Sequence, residues 1–138
     1  MRLLVNIDVP ELEPARAFYV AAFGLTEGRR FGTGGIELFG LDAPLYLLAK
    51  PAGSPAVPGR GLVRDYGRHW TPIHLDIVVE DVAAALSRAL AAGAVLEAPL
   101  RHESWGSIAG LADPFGNGFC LLAFTAAGYD AVADPAQG

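Results

Sequence analysis

The feature of this sequence that most constrains its fold is an internal repeat. Residues 3–9 alternate apolar side chains with others, residues 73–79 do the same, and this spacing predicts a β-strand in both places. Each strand runs into a segment with helical spacing of apolar residues, which ends at Gly24 in the first copy and at Gly93 in the second. Internal similarity of this kind indicates that one supersecondary unit occurs twice.

The correspondence between the copies extends beyond the first strand and helix. An offset of 70 residues carries Leu4 onto His74 and Ile7 onto Ile77. Toward the end of each copy, an offset of 74 residues carries Tyr46-Leu47-Leu48-Ala49 onto Cys120-Leu121-Leu122-Ala123. Further strands are predicted after each helix, near residues 27–33, 35–41 and 45–50 and near residues 95–102, 106–112 and 118–124.

The repeat predicts one α+β domain, residues 1–125, made of two βαβββ modules. The first module covers about residues 1–50 and the second about residues 71–125. Residues 51–70 are rich in proline and glycine with few apolar anchors, and we interpret them as a connecting loop. Residues 126–138 are small and polar and are expected to form a C-terminal tail on the surface.

Composition narrows the function classes. A formal net charge of -5 with scattered basic residues disfavours nucleic-acid binding, which needs Lys and Arg gathered on one surface. The single cysteine, Cys120, excludes an intramolecular disulfide and fits a reducing compartment. No apolar run has the length of a signal peptide or a membrane span, so we expect a cytoplasmic protein without a membrane partner.

The paired modules and the segment Asp113-Pro114-Phe115-Gly116-Asn117, a predicted turn before the last apolar strand, carry a resemblance to a known family. In these features residues 1–125 resemble the vicinal oxygen chelate superfamily, which includes glyoxalase I, bleomycin-resistance proteins and extradiol dioxygenases. The resemblance implies the glyoxalase/bleomycin-resistance/dioxygenase fold, in which two curved mixed sheets surround a cavity and carry their helices outside. It also implies a homodimer, in which pairing of modules covers open sheet edges.

Strand alternation divides the side chains of this expected fold between two faces. The residues predicted to face the helices are Val5, Ile7, Leu75 and Ile77. The opposite face would line the cavity and bind a small-molecule ligand, and its residues are Leu4, Asn6, Asp8, Tyr46, Leu48, His74, Asp76, Cys120, Leu122 and Phe124. Two loops could border the cavity. One holds Trp105, which could instead cap the core or lie in a dimer interface, and the other, residues 64–70, is either a lid or a solvated linker.

Metal-using members of the superfamily take ligands from the first and last strands of both modules. The resemblance places those positions at Leu4, Tyr46, His74 and Cys120. Leu4 has no donor atom, and Tyr46 is an uncommon ligand because its hydroxyl ionises only near pH 10. His74 and Cys120 remain, short of the three ligands typical of catalytic zinc, although Asp76 could add a carboxylate. We therefore expect no cofactor, and if a divalent metal binds, His74 and Cys120 would hold it.

Each polar residue of the expected cavity has an ordinary structural interpretation beside the functional one. His74, with an ordinary pKa near 6.5, could be a general base or a cavity histidine hydrogen-bonded to a neighbour or a ligand. Cys120 could be a nucleophile, but a thiol in the middle of an apolar strand is more often a buried filler. Tyr46 could contact a ligand or pack in the core. Asp76 lies on an apolar strand, where an acid must be paired or reach water.

Two functions from different classes remain open. The first is a small-molecule binding protein that holds its ligand in an apolar and aromatic cavity without chemistry and without a metal, as the resemblance to the bleomycin-resistance branch implies. The second is a lyase or isomerase of the glyoxalase type, in which His74 moves a proton next to a carbonyl while Asp76 or Tyr46 orients it. We favour the first, because the sequence places no second acid or base convincingly.

Overall fold

The computed structural model describes residues 1–135 and contains two modules with the same order of elements. The first module consists of β1 (Val5–Val9), α1 (Leu12–Phe23), β2 (Thr26–Phe31), β3 (Gly35–Phe39) and β4 (Leu45–Ala49). The second consists of β5 (Leu75–Val78), α2 (Val82–Ala92), β6 (Val95–Glu103), β7 (Gly106–Ala112) and β8 (Gly118–Phe124). These elements confirm the predicted α+β fold. Residues 136–138 of the predicted tail lie outside the described residues.

Each module forms one mixed four-stranded sheet. The strand orders are β1-β4-β3-β2 and β5-β8-β7-β6, and in each sheet the first and last strands of the module are parallel while the other neighbours are antiparallel. In the parallel pairs, Asn6 lies beside Tyr46 and Asp76 lies beside Cys120. These registers reproduce the offsets of 70 and 74 residues, so the two modules are equivalent in the way that the repeat predicts. The sheets are not closed into barrels.

The two helices contact their own sheets and pack against each other. Their apolar spacing buries Leu12, Ala15, Phe18, Tyr19 and Ala22 on α1 and Val82, Ala85 and Ala89 on α2. Asp81 caps α2, because its side chain accepts a hydrogen bond from the Ala84 N–H. Each helix ends at a glycine in the left-handed region, Gly24 at φ 65° and Gly93 at φ 114°, as predicted.

The core lies where the helices cover the sheets. Leu47 on β4 and Leu121 on β8 are completely buried there. Val5, Ile7 and Ile77 pack against the same core as predicted. Because β1 and β5 are each the edge strand of their sheet, the side chains on these strands also border the space between the modules.

A buried hydrogen bond joins the modules directly. The Tyr19 hydroxyl on α1 donates to Asp113 Oδ2 at 2.5 Å, and both burial and the Asp113 charge raise the pKa of Tyr19. Asp113 begins the predicted turn before β8, and its Oδ1 accepts the backbone N–H groups of Phe115 and Asn117. One carboxylate therefore shapes the turn and holds α1 of the other module.

The linker between the modules is a loop that packs on this turn. Gly116 in the turn has a φ of 89°, and a Cβ at this position would lie 2.7 Å from the carbonyl oxygens of Tyr66 and Gly67. Only glycine permits so close an approach. The Tyr66 hydroxyl donates to the Lys50 carbonyl oxygen at 2.7 Å. The linker therefore contacts both modules.

The described part of the tail packs on the second module. After β8 the chain forms a short 3₁₀ helix, Gly128–Ala131. The ring centroid of Tyr129 lies 4.7 Å from that of Phe124 and 5.3 Å from that of Trp105. Among residues 1–135, the helices are too short or too polar to cross a membrane.

Candidate functional site

A cavity of about 530 Å³ lies between the two modules. The edge strands β1 and β5 border it, and α1, the linker and the turn before β8 complete its lining. We call it the inter-module cavity. Its volume falls within the range of roughly 300–1,000 Å³ in which proteins bind small molecules.

Much of the inter-module cavity is lined by apolar and aromatic side chains. These include Val5, Ile7, Phe23, Ile77, Phe115 and Phe119. The rings of Phe23 and Phe119 meet edge to face with centroids 5.3 Å apart, so an aromatic from each module contributes to one wall. Such a lining favours a ligand with a planar or bulky apolar body.

Polar side chains border the same cavity. Asn6, Asp8 and His74, three predicted ligand contacts, are among them, and the linker adds Arg64 and His69. Arg64 Nε donates to Asp8 Oδ2 at 2.8 Å, and the guanidinium also donates to the Pro55 carbonyl oxygen. This ion pair ties the linker to β1 and neutralises both charges at the cavity.

His74 also belongs to a second group of side chains on module two. His74 lies immediately before β5 and two residues ahead of Asp76, and the parallel register places Cys120 beside Asp76. His74 Nε2 lies 3.1 Å from Asp76 Oδ1. The donor atoms of all three residues lie within 4.8 Å of one another, and we call them the module-two cluster. His74 and Cys120 also line a smaller hollow of about 330 Å³.

The surroundings of Cys120 in the module-two cluster change the pKa of its thiol. Burial raises the pKa of Cys120 above its ordinary value, and the adjacent Asp76 carboxylate raises it further. The thiol is therefore protonated at neutral pH and is a poor nucleophile. This favours the interpretation of Cys120 as a strand filler over that of a nucleophile, and the residue is half-buried rather than buried.

The equivalent face of module one carries a different network. Glu37 on β3 is only 1% exposed, and its carboxylate accepts hydrogen bonds from the Tyr46 hydroxyl at 2.5 Å and from Arg29 Nη2 at 2.5 Å. The hydrogen bonds from Arg29 and then Tyr46 lower the pKa of Glu37 to about 2. The same carboxylate raises the pKa of Tyr46. The proton of the Tyr46 hydroxyl is therefore already used in a hydrogen bond to Glu37.

Glu37 was not singled out by the sequence analysis. The signal was present, because an acid within the apolar strand Gly35–Phe39 must be paired or solvated, the argument applied to Asp76. What the sequence does not show is the partner. Arg29 lies on a strand with no apolar alternation, and its side chain is 69% exposed while it pairs with the buried acid.

The structure distributes the predicted ligand contacts over several places. Asn6, Asp8 and His74 line the inter-module cavity, whereas Tyr46 lies in the Glu37 network and Asp76 and Cys120 lie in the module-two cluster. The four residues predicted to face the helices, Val5, Ile7, Leu75 and Ile77, line the inter-module cavity as well. At the edge strands, side chains predicted for either face therefore border the inter-module cavity, because the gap between the modules opens to both faces.

Three further predicted ligand contacts lie away from the lining of the inter-module cavity. Leu122 is 1% exposed, so it has little surface to offer a ligand. Trp105 packs against Phe124 and Tyr129 in an aromatic group at the tail. Leu48 is half-buried on β4 next to β3. They remain predictions without a contact to the inter-module cavity.

Two βαβββ modules with open mixed sheets define the glyoxalase/bleomycin-resistance/dioxygenase fold, the fold of the vicinal oxygen chelate superfamily. A family model described as a glyoxalase-like domain matches residues 4–122. The chain belongs to this glyoxalase-like family, which confirms the resemblance seen in the sequence. A comparison with curated proteins finds no similar sequence.

Solved structures with the same fold cover most of the chain. A glyoxalase/bleomycin resistance protein/dioxygenase family enzyme from Burkholderia phytofirmans is 22% identical with a TM-score of 0.69, over 88% of this chain and 97% of that one. The fosfomycin resistance protein FosX from Listeria monocytogenes is 17% identical with a TM-score of 0.68, over 91% and 94%. A hypothetical protein, SA1046, from S. aureus is 16% identical with a TM-score of 0.66, over 89% and 96%. At these identities the likeness shows the fold.

Proposed function

We propose that the protein binds a small organic molecule in the inter-module cavity and that this binding needs no metal ion. The observation that carries the proposal is the cavity itself, which has about 530 Å³ of space between the modules and walls that include aromatic side chains from both. Burial of apolar ligand surface against such walls is worth about 25 cal/mol per Å², so contact with Phe23 and Phe119 supplies affinity without a charged partner.

The polar groups of the cavity favour a neutral ligand. Asp8 and Arg64 already pair with each other at 2.8 Å, so a charged ligand would have to compete for one of them. Asn6 and His74 offer hydrogen-bonding groups along the same lining. The ligand class that fits is an aromatic or alicyclic molecule with one or two neutral polar groups.

A metal shared between the modules, as the superfamily resemblance implies, does not fit these residues. Leu4 has no donor atom, and the hydroxyl of Tyr46 donates to the buried carboxylate of Glu37. Coordination by Tyr46 would require loss of a proton whose pKa is raised. Module one therefore supplies no ligand at either family position, which supports metal-independent binding in the cavity.

Titration with the neutral fluorophore N-phenyl-1-naphthylamine tests this proposal. We expect one saturable site per chain, unchanged by a chelator. Ile73→Trp should abolish saturable binding, because Ile73 lines the inter-module cavity and is 77% exposed, so that a larger side chain can enter the cavity without disturbing the core. Val78→Trp is the matched control, since Val78 is 59% exposed on β5 but does not line the cavity. Equal binding by both variants would contradict the proposal.

A second function, a lyase or isomerase reaction, is favoured by the contact between His74 and Asp76. His74 Nε2 lies 3.1 Å from the Asp76 carboxylate, so the carboxylate would orient the imidazole and leave Nδ1 to face a substrate. A base oriented in this way could remove a proton next to a carbonyl. Exchange of the α-protons of hydroxyacetone with D₂O, followed by NMR, tests this function. If it is correct, His74→Phe slows the exchange by roughly 100-fold or more.

We also propose that the protein is a homodimer. The edge strands β1 and β5 each pair with one strand and leave their other edge open within residues 1–135. Exposed apolar side chains lie next to these strands, including Leu3, Leu4 and Ile73. Open edges and exposed apolar groups of this kind are commonly covered by a second subunit.

A further inference from the structure

We propose that the linker carries a hinged lid over the inter-module cavity and that the ion pair between Asp8 and Arg64 holds this lid closed. The lid is the hairpin of residues 53–64, which we call the linker hairpin. The inference rests on the proposed function, since it concerns how a ligand enters and leaves the same cavity. Asp8 and Arg64 are positioning residues in this arrangement, because they act on the ligand through the hairpin.

The linker hairpin satisfies its own backbone. The Gly53 N–H donates to the Arg64 carbonyl oxygen at 2.8 Å, and the Ala56 N–H donates to the Leu62 carbonyl oxygen at 2.8 Å. In the described part of the chain, the hairpin makes no backbone hydrogen bond to either sheet. It can therefore move as a unit while its internal hydrogen bonds stay intact.

The linker hairpin is weakly held by apolar contacts. None of its residues is buried, and the side chains of Val57, Leu62 and Val63 are about half exposed. Segments with so little buried apolar surface open at a small cost in free energy. At the start of the hairpin, Gly53 has a φ of 79° and no heavy atom within 4 Å of the position of a Cβ, so the backbone has room to rotate there.

One side chain fastens the linker hairpin to module one. Arg64 Nε donates to Asp8 Oδ2 on β1 at 2.8 Å. The same guanidinium donates to the Pro55 carbonyl oxygen and, at 3.4 Å, to the Ser54 hydroxyl, so it joins both sides of the hairpin to β1. No other side chain of the hairpin forms a hydrogen bond or ion pair with either module in the part of the chain that the structure describes.

The linker after the hairpin is anchored more firmly. The Tyr66 hydroxyl donates to the Lys50 carbonyl oxygen at 2.7 Å. Arg68 donates from Nε and Nη2 to the two oxygens of Glu97 at 2.6 and 3.0 Å, and the backbone nearby packs on the turn before β8. We therefore place the moving part of the linker before Tyr66.

The linker hairpin covers part of the inter-module cavity. Ala56, Val63 and Arg64 belong to the cavity lining, so lifting the hairpin opens that wall. Ligand entry and ligand release would both follow the fraction of time that the hairpin is open. Affinity would change little, because the aromatic walls at Phe23 and Phe119 lie on other elements.

Stopped-flow fluorescence with N-phenyl-1-naphthylamine tests the lid. Asp8→Asn removes the ion pair and should raise the association and dissociation rate constants together, by about threefold to fivefold, with Kd changed by less than about twofold. The ligand is neutral, so salt acts on the rates through the ion pair. Raising NaCl from roughly 0.02 to 0.5 M should speed both steps in the wild type and leave Asp8→Asn unchanged.

Two further variants control for the charge change. Arg60→Met removes a positive charge from the same hairpin, where Arg60 has no ion pair within residues 1–135, and should leave both rate constants unchanged. The exchange of charges, Asp8→Arg with Arg64→Asp, restores a pair and should bring both rate constants back toward those of the wild type. A rise in the dissociation rate alone with Asp8→Asn would overturn the proposal, because Asp8 would then contact the ligand directly.

A measurement without ligand separates the lid from the proposed function. Spin labels at Arg60→Cys on the hairpin and Arg88→Cys on α2, in a Cys120→Ser background, report the distance between them by pulsed electron paramagnetic resonance. Asp8→Asn should broaden this distance distribution and add longer distances. An unchanged distribution would overturn the lid. Broadening in a protein that fails to bind the fluorophore would support the lid and contradict the proposed function.

Discussion

Removal of the Tyr19 hydroxyl tests how the two modules are held together. Tyr19→Phe deletes the hydrogen bond to Asp113 Oδ2 and keeps the ring contacts, including the edge-to-face contact with Phe18 at 5.0 Å. A hydrogen bond to a charged acceptor contributes about 1.5–3 kcal/mol. Asp113 Oδ2 keeps a second donor, Asn117 Nδ2 at 2.9 Å, so the expected loss is at the lower end, about 1.5–2 kcal/mol.

Urea and thermal unfolding measure this loss. An unfolding entropy of about 2.1 cal/mol/K per residue converts it, for 138 residues, into a fall in Tm of about 5–7 °C. The matched control is Tyr129→Phe, because the Tyr129 hydroxyl makes no hydrogen bond to another side chain within residues 1–135 and should change stability by less than about 0.5 kcal/mol.

A double-mutant cycle locates the effect at Asp113. In the Asp113→Asn background the acceptor is neutral, and the cost of Tyr19→Phe should fall to about 1 kcal/mol or less. The reasoning is refuted if Tyr19→Phe costs no more than Tyr129→Phe. It is also refuted if the cost is the same in both backgrounds, because the hydroxyl would then act through another group.

Three further outcomes follow from the cavity and the networks around it. His74→Phe should reduce the free energy of unfolding by no more than about 1.5 kcal/mol, because His74 is exposed. It should also weaken binding of N-phenyl-1-naphthylamine by about 1 kcal/mol, the contribution of one hydrogen bond. If the variant unfolds, His74 belongs to a structural network instead. Glu37 has a folded pKa lowered from 4.5 to about 2, so its contribution to stability is present above about pH 4.5 and is lost as the pH falls toward 2. The stability difference between wild type and Glu37→Gln should therefore shrink over that interval, and a constant difference in acid titrations followed by circular dichroism would contradict this. Sedimentation equilibrium at micromolar concentration should give twice the 14.4 kDa chain mass, and a pure monomer would exclude the homodimer.

The fold was predictable from the sequence because its signals are local and occur twice. Apolar alternation in β1 and β5 and the glycines that end both helices are properties of short segments. The equivalence of the two modules was also predictable, since the offset between the copies places Tyr46 over Cys120 and the structure places both at the same point of their sheets.

The location of the ligand cavity was not predictable in the same way. It depends on how α1 packs on α2 and on where the linker lies, and these contacts join residues far apart in the chain, such as Arg64 and Asp8. Phe23 and Phe119 are apolar positions of an ordinary helix and strand. Nothing in the local sequence pattern distinguishes a residue that lines a cavity from a residue buried in the core.

The networks beside the cavity show a similar limit. Period-two spacing places His74 and Asp76 on one face, but the proximity of Cys120 follows from the pairing of β5 with β8. Glu37 carries a signal as a charged residue in an apolar strand, while its partner Arg29 lies on a strand whose residues are all exposed. Sequence patterns thus identify buried polar groups more readily than the groups that neutralise them.

A crystal structure of the chelator-treated protein with N-phenyl-1-naphthylamine tests the central claim most directly. The account predicts electron density for the fluorophore between β1 and β5, with its rings against Phe23 and Phe119 and its amine near Asn6 or His74. Fluorophore bound instead on the open sheet faces, beside Tyr46 or Cys120, with the inter-module cavity left empty, would contradict it.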